Sequence, residues 1–478
     1  MNKYPIAVDL DGTLIRTDTL HESLLKLVKT HPIRLLLLPF WLLRGKAHVK
    51  KKVSAITTPS VALLPYNHDV IDWLKVQRNS NRLLLLCTAA DESIGNDVAR
   101  HLGIFERCVA SDGNINMKGI VKHEMLKNLF PNRNFTYVGD SKADLEVWRG
   151  ANSAVLVSNS RALKSHVSKF CEVEKVFHPP QKTLKVFASL LRVHQWAKNL
   201  LLLVPAIASH QVANPDVLLT LILAFVSFSL CSSSVYILND LLDLENDRRH
   251  PRKRNRPLAS GKISIMTAGL LAPMLLMMSG LIATVISPNF INTLAIYYFF
   301  TCAYTVILKK IVLLDCLVLA GLYTLRVIAG AAAISLGVSF WLLAFSAFLF
   351  LSLAFVKRFI ELKELSAIGV EKIIHGRGYS NNDMGFVQTL GVSAGFTSVL
   401  VLALYIDSTA SEQLYRLPEM VWGAAAVILF WISWIWLKAN RGEVHDDPVV
   451  FAVTDKVSLA CGAVFSAAVL LGITGLPA

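Results

Sequence analysis

Hydrophobic and polar positions change their rhythm partway along this chain. Over residues 1–180, short apolar runs alternate with charged stretches. IAVD (6–9), LLLLC (83–87), CVA (108–110), FTYVG (135–139) and AVLV (154–157) are each bounded by polar residues or glycine. Continuous apolar runs of that length, separated by helix-period segments, predict a parallel sheet covered on both faces. From about residue 199 the chain becomes long apolar segments joined by short polar ones. Nine spans are predicted, near 197–212, 217–238, 264–286, 290–308, 312–334, 339–356, 386–406, 418–437 and 457–476. Most reach the ~20 apolar residues that cross a bilayer core. The first is short and carries Lys198 and Asn199 at its mouth. A further apolar stretch, IRLLLLPFWLL (33–43), is too short to span and is interrupted by Pro39. It reads equally as a buried cap helix or as a helix lying in a membrane interface.

Composition agrees with this division. Hydrophobic residues make up 54% of the 478 and charged residues 17%, against about 45–50% and about 25% in soluble domains. This composition argues against a purely soluble globular protein and excludes disorder over most of the length. The net charge of +14 fits cytoplasmic loops of a membrane protein better than a nucleic-acid surface, so no nucleic-acid partner is expected. Arg248, Arg249, Arg252, Lys253, Arg254, Arg256 and Lys262 crowd the connection 239–263. Later loops on that side add Lys309, Lys310, Lys357, Arg358, Lys363, Lys372, Arg377, Lys438, Arg441 and Lys456. The opposite connections at 209–216, 287–289 and 335–338 hold no Lys or Arg, and 407–417 holds only Arg416. An odd number of spans with this asymmetry places the N-terminal domain in the cytoplasm and the C-terminus outside, in the plasma (inner) membrane. The N-terminus shows no apolar h-region ahead of its first acidic residues, so no signal peptide is expected. Seven scattered cysteines without a CxxC pair imply neither a disulfide framework nor a zinc site.

Candidate chemistry in the first part lies where strands end, the usual place for sites in parallel sheets. The first strand runs into Asp9-Leu10-Asp11-Gly12-Thr13, and residues two apart in extended chain share a side. The fourth runs into Gly139-Asp140-Ser141-Lys142-Ala143-Asp144, the second ends at Thr88, and Lys122 opens a helix-like run. Carboxylates holding Mg²⁺, with a hydroxyl and a lysine, form a kit for phosphoryl transfer. These four elements, in order over about 1–160, closely resemble the haloacid-dehalogenase-like phosphatase superfamily. The resemblance implies a Rossmann-like domain with Asp9 as nucleophile and Asp11 as general acid and then base. It implies that Thr88 and Lys122 bind the phosphoryl oxygens, and that Asp140 and Asp144, with Asp9, hold Mg²⁺. The roughly 60 residues between the first two motifs would form a helical cap. Lys118 competes with Lys122 for the lysine role.

In the membrane part the stretch 239–261, NDLLDLENDRRHPRKRNRPLASG, carries most information. Offsets of three and four put Asp240, Asp243 and Asp247 on one helix face beside Asn239. Three carboxylates at a membrane rim repel one another, and a divalent cation with a polyanionic ligand relieves that repulsion. Arg248 through Arg256, Arg254 among them, supply counter-charge for phosphates. NDxxDxxxD followed by a basic run and RPLASG strongly resembles the first signature of the UbiA prenyltransferase superfamily, an all-α membrane fold of about nine helices, over about 185–478. Members that use a prenyl diphosphate carry a second DxxxD motif after the sixth span. Here that place reads Lys357-Arg358-Phe359-Ile360-Glu361, then His375-Gly376-Arg377-Gly378-Tyr379. The substitution of a mainly basic cluster, with RVHQWAKN (192–199), looks like the decaprenyl-phosphate phosphoribosyltransferase branch. That resemblance implies phosphoribosyl diphosphate as donor and a polyprenyl phosphate as acceptor. Asn239, Asp240, Asp243 and Asp247 would hold Mg²⁺ and the departing diphosphate. Lys357, Arg358 and Arg377, with Glu361 and Tyr379 in the same set, would face a phosphate, and Lys198 the lipid phosphate.

The expected organisation is a phosphatase-like domain (1–170), a linker with an amphipathic stretch (171–190) and a transmembrane transferase domain (191–478), with Mg²⁺ as the cofactor. The phosphatase would remove the ribose 5-phosphate that the transferase installs. Two rival readings remain: an aromatic prenyltransferase with a degenerate second motif, and a transporter with a regulatory phosphatase-like module. Arg326 and Asp315 within the fifth span read equally as structural or as pathway residues. Trp196 reads as an interfacial anchor, His445-Asp446-Asp447-Pro448 as a solvated loop, and homo-oligomerisation is left open.

Overall fold

The structure, a computed structural model, describes residues 4–131, 134–367, 378–444 and 448–474. The chain divides into two compact units, Met1–Leu191 with Tyr236–Ala272, and Arg192–Val235 with Pro273–Ala478. The basic and acidic stretch after residue 236 therefore groups with the N-terminal part, although sequence reading placed it in the membrane domain.

The first unit is built on a six-stranded parallel sheet of order β3-β2-β1-β4-β5-β6. The strands are β1 (Ile6–Val8), β2 (Leu84–Asp91), β3 (Arg107–Ser111), β4 (Thr136–Gly139), β5 (Ser153–Val157) and β6 (Glu172–Phe177). Five were expected; β6 lies in the segment read as linker, where its alternating charges hid it. Helices α1 (Thr19–Thr30), α2 (Leu38–Leu43), α3 (Lys46–Ser54), α4 (His68–Asn79), α5 (Glu92–Leu102), α6 (Ile120–Leu129), α7 (Leu145–Gly150), α8 (Arg161–Val167) and α9 (Leu184–Leu190) complete its N-terminal part. Alternate residues of the strands feed two cores. Ile6, Val8, Leu84 and Leu86 meet Val70, Leu74, Ile94 and Val98 on one face. Ala7, Leu85 and Tyr137 meet Leu126, Trp148 and Leu163 on the other. Burial on both faces explains why these strands read as unbroken apolar runs.

The strand order reverses direction at β1, which opens a crevice past the carboxyl ends of β1 and β4. Register brings Val8 level with both Val138 and Leu86. The next residues out, Asp9, Gly139-Asp140 and Cys87-Thr88, thus reach the same rim. β2 does not stop at Thr88 but runs on to Asp91 through an irregularity after Cys87. The cap is also smaller than expected. α1 and α3 close over Leu27, Val49 and Val53, with Leu35, Leu38 and Trp41 packed against them, whereas α4 belongs to the sheet. The apolar stretch 33–43 is a 3-10 turn (Pro32–Leu37) followed by α2, and most of its side chains are exposed rather than buried.

Among the described residues, seven helices are long and apolar enough to cross a membrane. Numbering continues with α10 (Val204–Ala208), α11 (Pro215–Leu242), α12 (Leu244–Arg249), α13 (Ile265–Thr284), α14 (Pro288–Val306), α15 (Leu314–Ala333), α16 (Phe340–Ala367), α17 (Met384–Ile406), α18 (Thr409–Leu414), α19 (Val421–Arg441), α20 (Pro448–Thr454) and α21 (Lys456–Thr474). The seven are α11, α13, α15, α16, α17, α19 and α21. α14 covers the fourth expected span with 19 residues, diluted by Asn289, Asn292, Thr293, Thr301 and Thr305. The first expected span is corrected: Val193–Leu203 is 3-10 helix leading into the five-residue α10. Its polar groups explain the departure, because Lys198 and Asn199 are buried and Asn199 binds side chains of other helices. This is a multi-pass membrane protein.

Small residues let the helices approach closely. At Gly391 on α17, a Cβ would lie 2.2 Å from the Trp436 ring and 2.7 Å from Phe355 Cβ. Gly391→Ala is therefore expected to cost about 1–3 kcal/mol, read as a lower unfolding midpoint in detergent. An unchanged midpoint would show that α17 and α19 can separate freely.

Candidate active sites

At the rim of the sheet, Asp9, Asp140 and Asp144 present carboxylate oxygens within 4.8 Å of one another. Lys122, buried on α6, donates to Asp9 Oδ1 at 2.9 Å and to the Tyr137 hydroxyl at 2.9 Å. The Tyr137 hydroxyl in turn donates to Asp144 Oδ1 at 2.8 Å. Asp144 Oδ2 accepts from the backbone N–H groups of Asp140 and Ser141. Lys118, by contrast, is exposed. Burial and the neighbouring Asp144 push the Asp9 carboxyl up, although Lys122 pulls it down. Burial, Asp144 and Asp9 push Asp140 to about 7. For Lys122, burial works against the charge, yet Asp9 and Asp144 outweigh it and raise its pKa.

Asp11 sits apart from that cluster. Its oxygens accept the Thr19 N–H at 2.9 Å and the Thr19 hydroxyl at 3.2 Å. Burial, with Asp18 nearby, pushes its carboxyl to about 8. Thr88 is fully buried and its Oγ1 accepts the Ala90 N–H at 3.0 Å, which leaves the hydroxyl proton available. Gly12 must be glycine: φ is +77°, and a Cβ there would sit 2.3 Å from Asp140 Oδ2. Two groups escaped the sequence reading. Tyr137 lies within the apolar run FTYVG, which gives no sign of its hydroxyl's partners. Lys50, one lysine in a basic run on α3, donates to the Ala89 carbonyl and, at 3.2 Å, to Asn116 Oδ1. Burial lowers its pKa against the opposing pull of Asp11 and Asp18, so the cap brings an amine into the field of Asp11.

The second cluster departs from its expected shape. α11 ends at Leu242 and α12 opens at Leu244, yet helical hydrogen bonds continue across Asp243, from its N–H to the Asn239 carbonyl at 2.9 Å and from the Asp247 N–H to the Asp243 carbonyl at 2.8 Å. Among the described residues Asp240, Asp243 and Asp247 are not a convergent metal-ligand group. Arg256 bridges instead, its Nη1 donating to Asp240 at 3.1 Å and to Asp247 at 2.6 Å. Burial raises the Asp247 carboxyl against the pull of Arg256. Arg254 is exposed and Asn239 half-buried. Within the same unit, Arg248 makes a two-pronged pair with Glu22 of α1, at 3.0 and 2.6 Å. Lys26 reaches Glu245 at 3.2 Å. Thr17, close behind the Asp11 motif, also donates to Glu22 at 2.8 Å.

In the second unit Arg358 is fully buried and pairs with Asp315 and Glu361. Tyr379 donates to Asp315 at 2.6 Å and accepts the Leu313 N–H at 2.8 Å. Lys357 is half-buried beside it, and Arg377 lies outside the described residues, as do His445, Asp446 and Asp447. Arg326 donates to Asn199 Oδ1 at 3.0 Å and to the Tyr297 hydroxyl at 2.9 Å. Lys198 Nζ lies 5.7 Å from the Tyr323 ring centre, and the Arg326 guanidinium 5.3 Å from it. Trp196 donates to Ser233 at 3.0 Å.

The sequence pattern of the UbiA prenyltransferase family matches residues 200–454. The chain belongs to that family. This UbiA-family chain is 35% identical over 98% of its length to the uncharacterized protein y4nM of Sinorhizobium fredii, covering 91% of that protein. It is 30% identical to the decaprenyl-phosphate phosphoribosyltransferase of Mycolicibacterium smegmatis, over 61% of this chain and 93% of the relative. Over the N-terminal part, phosphoserine phosphatase in its apo form is a structural neighbour at 15% identity and a TM-score of 0.25, covering 37% of this chain and 93% of that one. The family match begins within the helical part of the chain. The N-terminal sheet lies outside the matched residues.

Two outcomes follow from this geometry. Glu22→Ala strands the buried Arg248 guanidinium and is expected to cost about 3–5 kcal/mol, measured as earlier thermal unfolding of the full chain in detergent. Unchanged unfolding would show that the pair contributes nothing. In magnesium-free buffer, the folded rim keeps protons on Asp11 up to about pH 8 and on Asp140 up to about pH 7. The unfolded chain releases them near pH 4, at about the ordinary aspartate value. Stability therefore falls as pH rises between those limits, and Asp140→Asn is expected to flatten the slope. A slope identical in the variant would contradict the assignment.

Proposed function

We propose that this chain carries out two successive reactions on a lipid carrier. Its UbiA-family part transfers phosphoribosyl from phosphoribosyl diphosphate to a polyprenyl phosphate, and its N-terminal part hydrolyses the ribose 5-phosphate of the product. The observation that supports the first half is a basic segment, Lys357-Arg358, in the place of a second acidic motif. It occurs in a chain 30% identical to a decaprenyl-phosphate phosphoribosyltransferase. A prenyl diphosphate donor would ask for a second acidic metal site there.

In the transfer, the bond from the ribose anomeric carbon to diphosphate breaks and diphosphate leaves with the electron pair. A lipid phosphate oxygen forms the new bond to that carbon, and no oxidant or reductant is needed. Positive charge grows on the sugar as diphosphate departs, so positioning and electrostatics carry the step. Asn239, Asp240, Asp243 and Asp247 would hold Mg²⁺ with the diphosphate, and Arg254 and Arg256 would meet its remaining charge. The donor set fits: two buried carboxylates on one guanidinium retain negative charge, presented through the oxygens that Mg²⁺ takes. Lys198, with Arg326 beside the same Tyr323 ring, is assigned to the lipid phosphate. Lys357 is assigned to the ribose phosphate. The Arg358 guanidinium is committed to Asp315 and Glu361, so it serves with Tyr379 as a positioning residue.

In the hydrolysis, an Asp9 oxygen attacks phosphorus while Lys122 holds Oδ1. Asp11, still protonated at neutral pH because its carboxyl is pushed to about 8, gives its proton to the leaving alcohol. It then takes a proton from the water that cleaves the aspartyl phosphate. Thr88 and Lys122 bind phosphoryl oxygens, and Lys50 brings a cap amine to the alcohol side. Asp9, Asp140 and Asp144 would hold Mg²⁺, which supplies positive charge against the phosphoryl group. The excess of Lys and Arg on one set of loops supports placing both sites on the cytoplasmic side of the plasma membrane, with the C-terminus outside.

The test combines the full chain, Mg²⁺, labelled phosphoribosyl diphosphate and a polyprenyl phosphate. Label is expected in the organic phase with wild type and to vanish when Asp240, Asp243 and Asp247 are all changed to Asn. Asp9→Asn is expected to transfer label normally but leave the 5-phosphate in place, and Asp11→Asn to slow its release roughly 10²–10⁴-fold. Undiminished label with the triple variant sinks the transferase reading. Equal 5-phosphate retention in wild type and Asp9→Asn sinks the hydrolase reading.

A further inference from the structure

The cap has two apolar faces and its own core uses one. Leu35, Leu38 and Trp41 turn inward onto Leu27, Val49 and Val53. On the other side Ile33 is 80% exposed, Leu36 74%, Phe40 66% and Leu43 85%, with Leu37 and Leu42 also open. So many large apolar side chains within a dozen residues form a patch of the kind that soluble surfaces avoid. Neither reaction proposed above uses it. The surrounding charge has a single sign: from Ser23 to His68 the chain holds eight Lys or Arg residues and no Asp or Glu. Arg34, Arg44 and Lys46 flank the patch directly, and Lys51 and Lys52 follow on α3.

We propose that this face, the 3-10 turn Pro32–Leu37 with α2, lies in the headgroup region of an anionic bilayer. Apolar side chains enter the acyl boundary while the flanking cations meet lipid phosphates, the arrangement of an interfacial helix. The bilayer is favoured over a protein partner for two reasons on this chain. Helices long and apolar enough to span a membrane belong to the same polypeptide, so a lipid surface is present at high effective concentration without a second encounter. A patch ringed only by cations also matches an anionic surface and repels a second copy of itself. The segment is too short to span, so it rests on the membrane rather than crossing it. The consequence is functional: the cap that carries Lys50 is held at the lipid surface, where a phosphorylated headgroup on a lipid carrier would be found.

The test uses the full chain reconstituted into vesicles of phosphatidylcholine, with or without phosphatidylglycerol in both leaflets, so that insertion orientation does not matter. Phe40 and Leu43 are replaced one at a time by the photoreactive p-benzoylphenylalanine, and Lys75 on the exposed face of α4 serves as control. Irradiation is expected to give phospholipid adducts at 40 and 43, several-fold more abundant with phosphatidylglycerol, and none at 75. Covalent dimers of the chain in place of lipid adducts, absence of lipid adducts, or equal yields in the two vesicle types would each overturn the proposal. The readout is independent of either enzymatic reaction, so its failure is distinguishable from theirs.

Discussion

A carboxylate removed from water must be met by a cation or keep its proton, because an uncompensated buried charge costs several kcal/mol. That constraint organises both halves of this molecule. Lys122 answers Asp9, Arg256 answers Asp240 and Asp247, Arg248 answers Glu22, and Arg358 answers Asp315. Where the cation does not suffice, as at Asp11 and Asp140, burial pushes the carboxyl to about 8 and about 7. The excess negative charge at the sheet rim is what a hard divalent ion would neutralise. Asp11 stands outside the convergent trio and is held by Thr19, which separates a proton carrier from the metal-type ligands.

The architecture was legible wherever local pattern and burial agree. Strands buried on both faces produced unbroken apolar runs, and Asp9, Asp11, Asp140 and Asp144 fell where parallel strands must end. β6 escaped because Glu172, Glu174 and Lys175 interrupt its apolar residues at an edge of the sheet. Lys50 and Tyr137 escaped for a different reason: a lysine in a basic run and a tyrosine in a strand carry no local mark of the partner they will meet. The first expected span misled because apolar composition says nothing about whether Asn199 will bond across helices and tighten the backbone. The spacing of the aspartate triad gave no sign that Arg256 would bridge Asp240 and Asp247.

Long-range pairing decided the membrane-side charges too. Arg358 was chosen from its position in a basic cluster, yet a guanidinium surrounded by Asp315, Glu361 and Tyr379 has no charge left to offer a ligand at low cost. Sequence reveals that a charge is present; only the fold reveals whether it is already spent. Arg326 likewise shows its contacts only in the fold, where Asn199, the Tyr297 hydroxyl and aromatic faces orient it.

The Glu22–Arg248 pair has a genetic implication. Glu22 and Arg248 are 226 positions apart in sequence, Glu22 on α1 and Arg248 on α12. In this chain, gene fission at the end of the N-terminal part would leave a guanidinium and a carboxylate on separate polypeptides, each facing solvent at a surface shaped for the other. Fusion, once fixed by such a contact, becomes hard to undo.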